Sequence, residues 1–203
     1  MTKPSETQKN NNLYYKFFYW GPLLFRVKIR PPDLKKCLKL CSKKSSSFND
    51  SLAGVIKQEH YVSPHSLVKI ITNYLGPFQD AYTRWYGKPL TKRMELKMSW
   101  VNYMTAGEFN PPHIHPGSDF SSVLFLKIPP KLREEHKKFI GTGAGPGALS
   151  FIYGESQTYS LNSRYFFPEE GDLFIFPATL IHFVSPFMSK GERISISANF
   201  KLV

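Results

Sequence analysis

Apolar and polar positions follow helical spacing in much of the first half of the chain and strand-like alternation in the second. The segment LLFRVKI alternates and predicts a strand, which ends at Pro31 and Pro32. Asp33 is then a candidate N-cap of a first helix. A second helix is predicted from Ser63 and Pro64. Its apolar stripe consists of Leu67, Ile70, Ile71, Tyr74, Leu75 and Phe78.

Beyond Lys97, short apolar segments follow one another and are separated by turns that contain Gly or Pro. These segments are KMSWVNYM, SSVLFLKI, GALSFIY, DLFIFP and RISISANF. Many short strands with such turns are typical of an antiparallel sandwich, barrel or jelly roll. A short polar helix, KLREEHKKF, is predicted at residues 131–139. We therefore divide the chain into a flexible N-terminus at 1–12, a basic strand and helix region at 13–94, and a β-rich core at 95–203.

The composition excludes a disordered chain, because 41% of the 203 residues are apolar and 15% are aromatic. All of the +12 net charge lies in residues 1–98. Such a surface could attract nucleic acid, anionic lipid or an acidic protein, or could simply be a solvated face rich in lysine, and no nucleic-acid-binding motif accompanies it. No apolar run approaches the roughly 18–20 residues that span a membrane, and MTKPSETQKNNN lacks the apolar core of a signal peptide. Cys37 and Cys41 lie at helical spacing and are interpreted as packing residues in a cytoplasmic protein.

Three histidines have the context of metal ligands. His113 and His115 form an H-x-H pair beside a predicted strand, where residues i and i+2 share a face. His182, in FPATLIHFVSP, would face them from a late strand of the same barrel. Imidazole binds iron, zinc, copper and nickel. Arg193 follows 11 residues later, with Ser195 on its face, and its planar fork suits a carboxylate. The alternative is that Arg193 pairs with a structural Asp or Glu.

The segment VNYMTAGEFNPPHIH resembles the entry strand of the iron(II)/2-oxoglutarate-dependent oxygenases, in particular their prolyl 4-hydroxylase branch. The segment FFPEEGDLFIFPATLIHFVSPFMSKGERISISANF resembles the second half of that family, with its distal His and later basic residue. GALSFIY resembles the strand between them. The similarity covers about residues 95–200 and includes oxygenases found in bacteria and phages.

The resemblance implies an α+β protein with a double-stranded β-helix (jelly roll) core and N-terminal helices packed on it. It implies Fe(II), 2-oxoglutarate as cosubstrate and O2, with ascorbate as a candidate reductant. The implied site residues are His113, His115 and His182 for the metal, and Arg193, Ser195 and Tyr103 for 2-oxoglutarate. The family usually has H-x-D, whereas this chain has His115 at the third position. Asp119 is therefore an alternative carboxylate ligand.

The function implied by the resemblance is hydroxylation of a protein side chain, with peptidyl proline as the leading substrate. Two other functions remain open at the level of sequence. One is an inert, cupin-like metal- or ligand-binding protein, and the other is an oxygenase of the same superfamily that acts on nucleic acid. The expected partner is a peptide or protein, and the expected location is the cytoplasm, that of the host if a phage encodes the protein.

Overall fold

The computed structural model describes residues 21–203 and, for their backbone alone, the strands β1 (Gln8–Asn10) and β2 (Leu13–Tyr15). The prediction for residues 1–12 otherwise lies outside the described residues. Three helices are described, namely α1 (Pro31–Leu40), α2 (Pro64–Tyr86) and α3 (Pro130–Lys137). The further strands are β3 (Phe25–Lys28), β4 (Glu59–Tyr61), β5 (Met94–Met104), β6 (Asn110–His113), β7 (Phe120–Lys127), β8 (Leu149–Ile152), β9 (Ser163–Phe166), β10 (Asp172–Pro177), β11 (Ile181–Val184) and β12 (Arg193–Leu202).

Two antiparallel sheets form the core. The larger sheet has the order β3-β10-β7-β12-β5-β4, and the smaller has the order β6-β11-β8-β9. From β5 to β12 the strands alternate between the two sheets, as in a double-stranded β-helix, except that β8 and β9 pair within the smaller sheet. The helices pack on the larger sheet. The fold class expected from the sequence is therefore confirmed.

The two long helices cover the outer face of the larger sheet. α2 begins after Ser63, whose Oγ accepts a hydrogen bond from the Ser66 amide at 3.3 Å. It ends at Gly87, whose φ of 71° lies in the left-handed region that favours glycine. The buried stripe of α2 is Leu67, Ile71, Tyr74, Leu75 and Phe78.

The prediction that Asp33 caps α1 is wrong. Pro31 and Pro32 occupy the first helical positions, where a missing amide proton costs nothing, so the helix begins three residues earlier. Asp33 instead lies buried in the first turn and accepts a hydrogen bond from the Tyr74 hydroxyl at 2.7 Å. This bond, together with Arg30 and Lys36, lowers the pKa of Asp33 to about 2 and joins α1 to α2.

Most predicted elements are present at the expected places, including α3 and the strands over KMSWVNYM, SSVLFLKI, GALSFIY, DLFIFP and RISISANF. Three short strands, β4, β6 and β9, carry too few residues to show a period in the sequence. The segment DLFIFPATLIHFV is divided by a turn after Pro177, which moves β11 into the smaller sheet. Within the part of the chain that the structure describes, no helix has the length and apolarity needed to cross a membrane.

Candidate active site

A cavity of about 590 Å³ lies between the two sheets, on the inner face of the larger one. Its wall combines residues from both sheets with the loop that precedes β4. Its lining combines apolar side chains with polar and charged ones. The residues that matter for its chemistry are Glu59, Asn102, His113, His115, His182, Arg193 and Ser195.

The three predicted histidines meet in this cavity. His113 on β6 lies directly opposite His182 on β11, so both side chains point to the same face of the sheet. Their ring centroids are 4.2 Å apart, and the His115 ring lies 5.0 Å from His113 and 5.1 Å from His182. One nitrogen from each ring lies within 4.8 Å of the others. This spacing is compatible with a single metal ion held by three imidazoles.

Backbone carbonyls fix the orientation of two of these rings. His113 Nδ1 lies 2.7 Å from the Pro111 carbonyl oxygen, and His182 Nδ1 lies 2.9 Å from that of Leu180. A carbonyl only accepts, so Nδ1 carries the proton in each ring and Nε2 keeps its lone pair for a metal. Burial lowers the pKa of all three histidines, to about 4 for His115 and about 3 for His182. The rings are therefore neutral at pH 7, as metal ligands must be.

The loop after β6 brings His115 to the same point. The His115 amide donates to the Ala178 carbonyl at 2.9 Å, and the Ala178 amide donates to the Asp119 carbonyl at 3.0 Å. These bonds attach the loop to the turn between β10 and β11. The carboxylate of Asp119 points away from the histidines, since it accepts from the Leu202 amide at 2.8 Å and pairs with Lys201 at 3.3 Å. The structure thus groups three histidines and leaves Asp119 at the end of β12.

Arg193 is the most unusual side chain of the cavity wall, because it is 1% exposed and forms no ion pair with any described residue. One guanidinium nitrogen donates to the Gly147 carbonyl at 3.2 Å, and the guanidinium carbon lies 5.3 Å from the centre of the Phe125 ring. Its Nε has no hydrogen-bond partner. Burial lowers the pKa of Arg193 to about 9. A buried, unpaired cation that lines a cavity is suited to an anionic ligand.

Strand pairing determines which residues stand beside Arg193. Ser195 lies on the same face of β12, and its partner in the register is Asn102 on β5. The Asn102 amide group donates to Ser197 Oγ at 3.1 Å and lies 3.5 Å from Ser195 Oγ. The structure does not bring Tyr103 to the cavity. Because neighbouring residues of a strand point to opposite faces, Tyr103 packs in the apolar cluster under the helices.

Sequence reasoning missed two polar residues of the cavity, Asn102 and Glu59. Glu59 lies on the edge strand β4, where it is paired with Asn102 in the register. It is 1% exposed, and its Oε2 has no hydrogen-bond partner. Burial, together with the charge of Glu108, raises the pKa of Glu59 to about 7. A three-residue strand gives no periodic signal, so only the pairing with β5 could identify its inward face.

Comparison with known proteins agrees with this geometry. The model of a family described as "Putative 2OG-Fe(II) oxygenase" matches residues 98–199, a range that includes all three histidines and Arg193. The match covers half of the chain and begins within β5. A search of curated protein sequences finds no significant match.

Solved structures with the same fold include several oxygenases. A prolyl-4-hydroxylase from Pseudomonas putida is 15% identical, with a TM-score of 0.55, over 88% of this chain and 91% of the other. A prolyl hydroxylase from Trichoplax adhaerens, in complex with a hypoxia-inducible factor peptide, is 12% identical, with a TM-score of 0.57, over 88% and 83%. HygX from Streptomyces hygroscopicus, with nickel, 2-oxoglutarate and hygromycin B bound, is 8% identical, with a TM-score of 0.53, over 88% and 82%. At these identities the likeness establishes the fold.

Proposed function

The chain belongs to the 2OG-Fe(II) oxygenase family, and from this premise we propose that it hydroxylates a prolyl residue of a peptide or protein. One observation on this chain's own residues supports the proposal. Three neutral imidazoles and one buried, unpaired guanidinium line the same cavity. A divalent metal needs the first set, and a dicarboxylate bound beside that metal needs the second.

His113, His115 and His182 would hold the iron. The hydrogen bonds from Nδ1 of His113 and His182 to backbone carbonyls keep Nε2 of each ring aimed at the ion. The third imidazole would replace the carboxylate expected in this family, so the three protein ligands would carry no negative charge. Bound iron(II) and 2-oxoglutarate together supply the oxidation of a substrate C–H bond by O2.

Arg193 would bind the distal carboxylate of 2-oxoglutarate. Two charge-assisted hydrogen bonds from its fork would neutralise a cation that forms no ion pair with the residues the structure describes and whose Nε has no hydrogen-bond partner. Ser195, on the same face of β12, would donate a further hydrogen bond. The burial of Arg193 and of His182 keeps water away from the ends of the cosubstrate.

Two observations support a peptide as the substrate. Prolyl hydroxylases of several organisms share the fold over at least 88% of this chain, and one of them was solved with a peptide. The lining of the cavity also includes residues 51–53, a loop in which Ser51 and Ala53 are exposed. The two free cysteines, Cys37 and Cys41, agree with a reducing location such as the cytoplasm.

The test is release of succinate from 2-oxoglutarate by the full chain, supplied with Fe(II), O2, ascorbate and a panel of proline-containing peptides. We expect turnover to rise with some of these peptides and a gain of 16 Da in their mass. Matched peptides with alanine in place of proline should give only the background rate. Hydroxylation of the alanine peptides at the same rate would contradict a prolyl substrate, and absence of succinate in every arm would favour an inert metal-binding protein.

The identity of the metal ligands has a separate test. His115→Ala should lower the affinity for Fe(II) by more than about 100-fold, since a facial set would lose one of three ligands. Asp119→Ala should retain the metal, because its carboxylate is bound to the end of β12. Loss of Fe(II) only in the Asp119 variant, measured by metal analysis of folded protein, would refute the three-histidine site.

A further inference from the structure

A second buried charge in the cavity has no role in holding metal or cosubstrate. The carboxyl group of Glu59 is as buried as Arg193, and it likewise lacks an ion-pair partner among the described residues. Ser195, Asn102 and Glu59 are aligned across β12, β5 and β4 by the strand register. Since neighbouring strands are about 4.8 Å apart, Glu59 lies roughly 10 Å from Ser195 across the sheet. The cavity therefore has a cationic end and a separate acidic end.

Within residues 21–203, no basic side chain forms an ion pair with Glu59. The two lysines of the cavity wall are engaged elsewhere, Lys97 with Glu95 at 2.8 Å and Lys201 with Asp119 at 3.3 Å. The charge of a second acid, Glu108, raises the pKa of Glu59 further and adds to the negative potential. Glu108 itself accepts hydrogen bonds from the backbone amides of Lys57 and Thr105, at 3.0 and 2.7 Å.

Glu59 and Asn110 place two side-chain oxygens beside Gly54. A Cβ atom placed on Gly54 would lie 3.1 Å from Glu59 Oε1 and 2.4 Å from the side-chain oxygen of Asn110. Both residues line the cavity. Two neighbouring acceptors that line the cavity, one of them a carboxylate whose Oε2 has no hydrogen-bond partner, fit a ligand that donates several N–H bonds.

We propose that Glu59 binds a positively charged nitrogen of the substrate, the guanidinium or ammonium group of an arginine or lysine close to the residue that is hydroxylated. That the ligand is part of a peptide rests on the proposed function. That it is a cation rests only on the geometry around Glu59. Removal of such a buried carboxylate would leave the substrate cation unpaired in the cavity, which is the costly case for any buried charge. Glu59 would thus determine which peptides enter the site.

The first experiment uses a small probe, so that its result does not depend on turnover. N-acetyl-arginine methylamide and its neutral isostere, N-acetyl-citrulline methylamide, are titrated by calorimetry into the full chain loaded with Fe(II) and 2-oxoglutarate without O2. We expect the arginine probe to bind at least tenfold more tightly. Glu59→Gln should abolish this preference, whereas Glu155→Gln, the same change at an exposed position, should retain it.

A second variant addresses the site without removing the carboxylate. Gly54→Ala would place a methyl group 2.4 Å from the side-chain oxygen of Asn110 and 3.1 Å from Glu59 Oε1, so it should displace these acceptors, weaken the arginine probe and leave the citrulline probe unchanged. Equal affinity of the wild-type protein for the two probes, absence of binding by both, or a preference that survives in Glu59→Gln would each overturn the assignment. Failure of the prolyl substrate in the succinate assay is a different result, because the probe titration contains no proline and no oxygen.

Discussion

One face of the larger sheet packs on α1 and α2, and the other face lines the cavity, although the same strands supply both. On β5 and β12 the outer side chains Val101, Ile196 and Ala198 join an apolar cluster. On the inner side the same two strands carry Asn102, Arg193 and Ser195 at 3% exposure or less. The outer face thus buries apolar area, which stabilises the fold. The inner face buries polar groups that the protein alone leaves partly unsatisfied, and such groups call for a ligand.

The largest expected effect of a substitution is on the outer face, at Phe78. This side chain is fully buried and contacts the rings of Phe25 and Phe120, with centroids 5.6 and 5.1 Å away. Phe78→Ala should lower the free energy of unfolding by about 3–5 kcal/mol, because it leaves a cavity between α2 and the sheet. Chemical denaturation measures this. Phe139→Ala, at a half-exposed ring, should cost less than about 1 kcal/mol. The Fe(II) stoichiometry of the folded fraction should not change in either variant.

The acidic end of the inner face should destabilise the ligand-free protein at neutral pH. The pKa of Glu59 is raised from 4.5 to about 7, so burial penalises the carboxylate. The unfolded chain loses its proton first, and the free energy of unfolding therefore falls as the pH rises from about 4.5 to about 7. Glu59→Gln removes this penalty and should be more stable than the wild-type protein by about 3 kcal/mol at pH 8, with little difference at pH 4.

Thermal or denaturant unfolding of both proteins at pH 4, 6 and 8 tests this dependence. All histidines are common to the two proteins, so their titration cancels in the difference. Glu155→Gln, at an exposed position, is the matched control and should track the wild-type protein at every pH. A constant difference between Glu59→Gln and the wild-type protein would mean that the carboxyl group keeps its ordinary pKa.

At the cationic end, Arg193→Lys keeps the charge and loses the planar fork. The affinity for 2-oxoglutarate should fall by about 1–3 kcal/mol, and Arg193→Ala should weaken it further. Iron binding should persist in both variants, since arginine is not a metal ligand. Titration of 2-oxoglutarate into the iron-loaded protein, followed at the charge-transfer band, gives the affinity. Arg164→Ala, on the exposed side of β9, is the control. An unchanged affinity in Arg193→Ala would make the residue structural.

The helices and strands that form the outer face could be predicted from the sequence, because they depend on local periodicity. The stripe from Leu67 to Phe78 predicts α2, and the alternation in RISISANF predicts β12. The histidines and Arg193 were accessible because the resemblance to a family fixes their order along the chain. Pro31 shows the limit of local signals, since proline both ends a strand and begins a helix, and only the packing of α1 on α2 decides between them.

Which side chains of β4 and β5 face the cavity could not be predicted from the sequence, because this depends on the pairing between distant strands. Glu59 faces the cavity because β4 pairs with β5 in a particular register, with Glu59 opposite Asn102. Tyr103 faces away for the same reason, since a shift by one residue reverses the face. The sequence shows that a polar and an aromatic residue are neighbours on the strand, and the register decides which of them reaches the site.

The smallest expected effect concerns Asn102 and Tyr103, which are neighbours on β5 and point to opposite faces of the sheet. Asn102→Ala removes an amide that holds Ser197 Oγ at 3.1 Å and lies beside Ser195, so the affinity for 2-oxoglutarate should fall by about 0.5–1.5 kcal/mol. Tyr103→Phe removes only a hydroxyl group on the helix-covered face and should leave that affinity unchanged. The same charge-transfer titration compares the two variants. A loss of affinity in Tyr103→Phe with none in Asn102→Ala would mean that β5 presents its other face to the cosubstrate, and the assignment of the two faces would then be reversed for this strand.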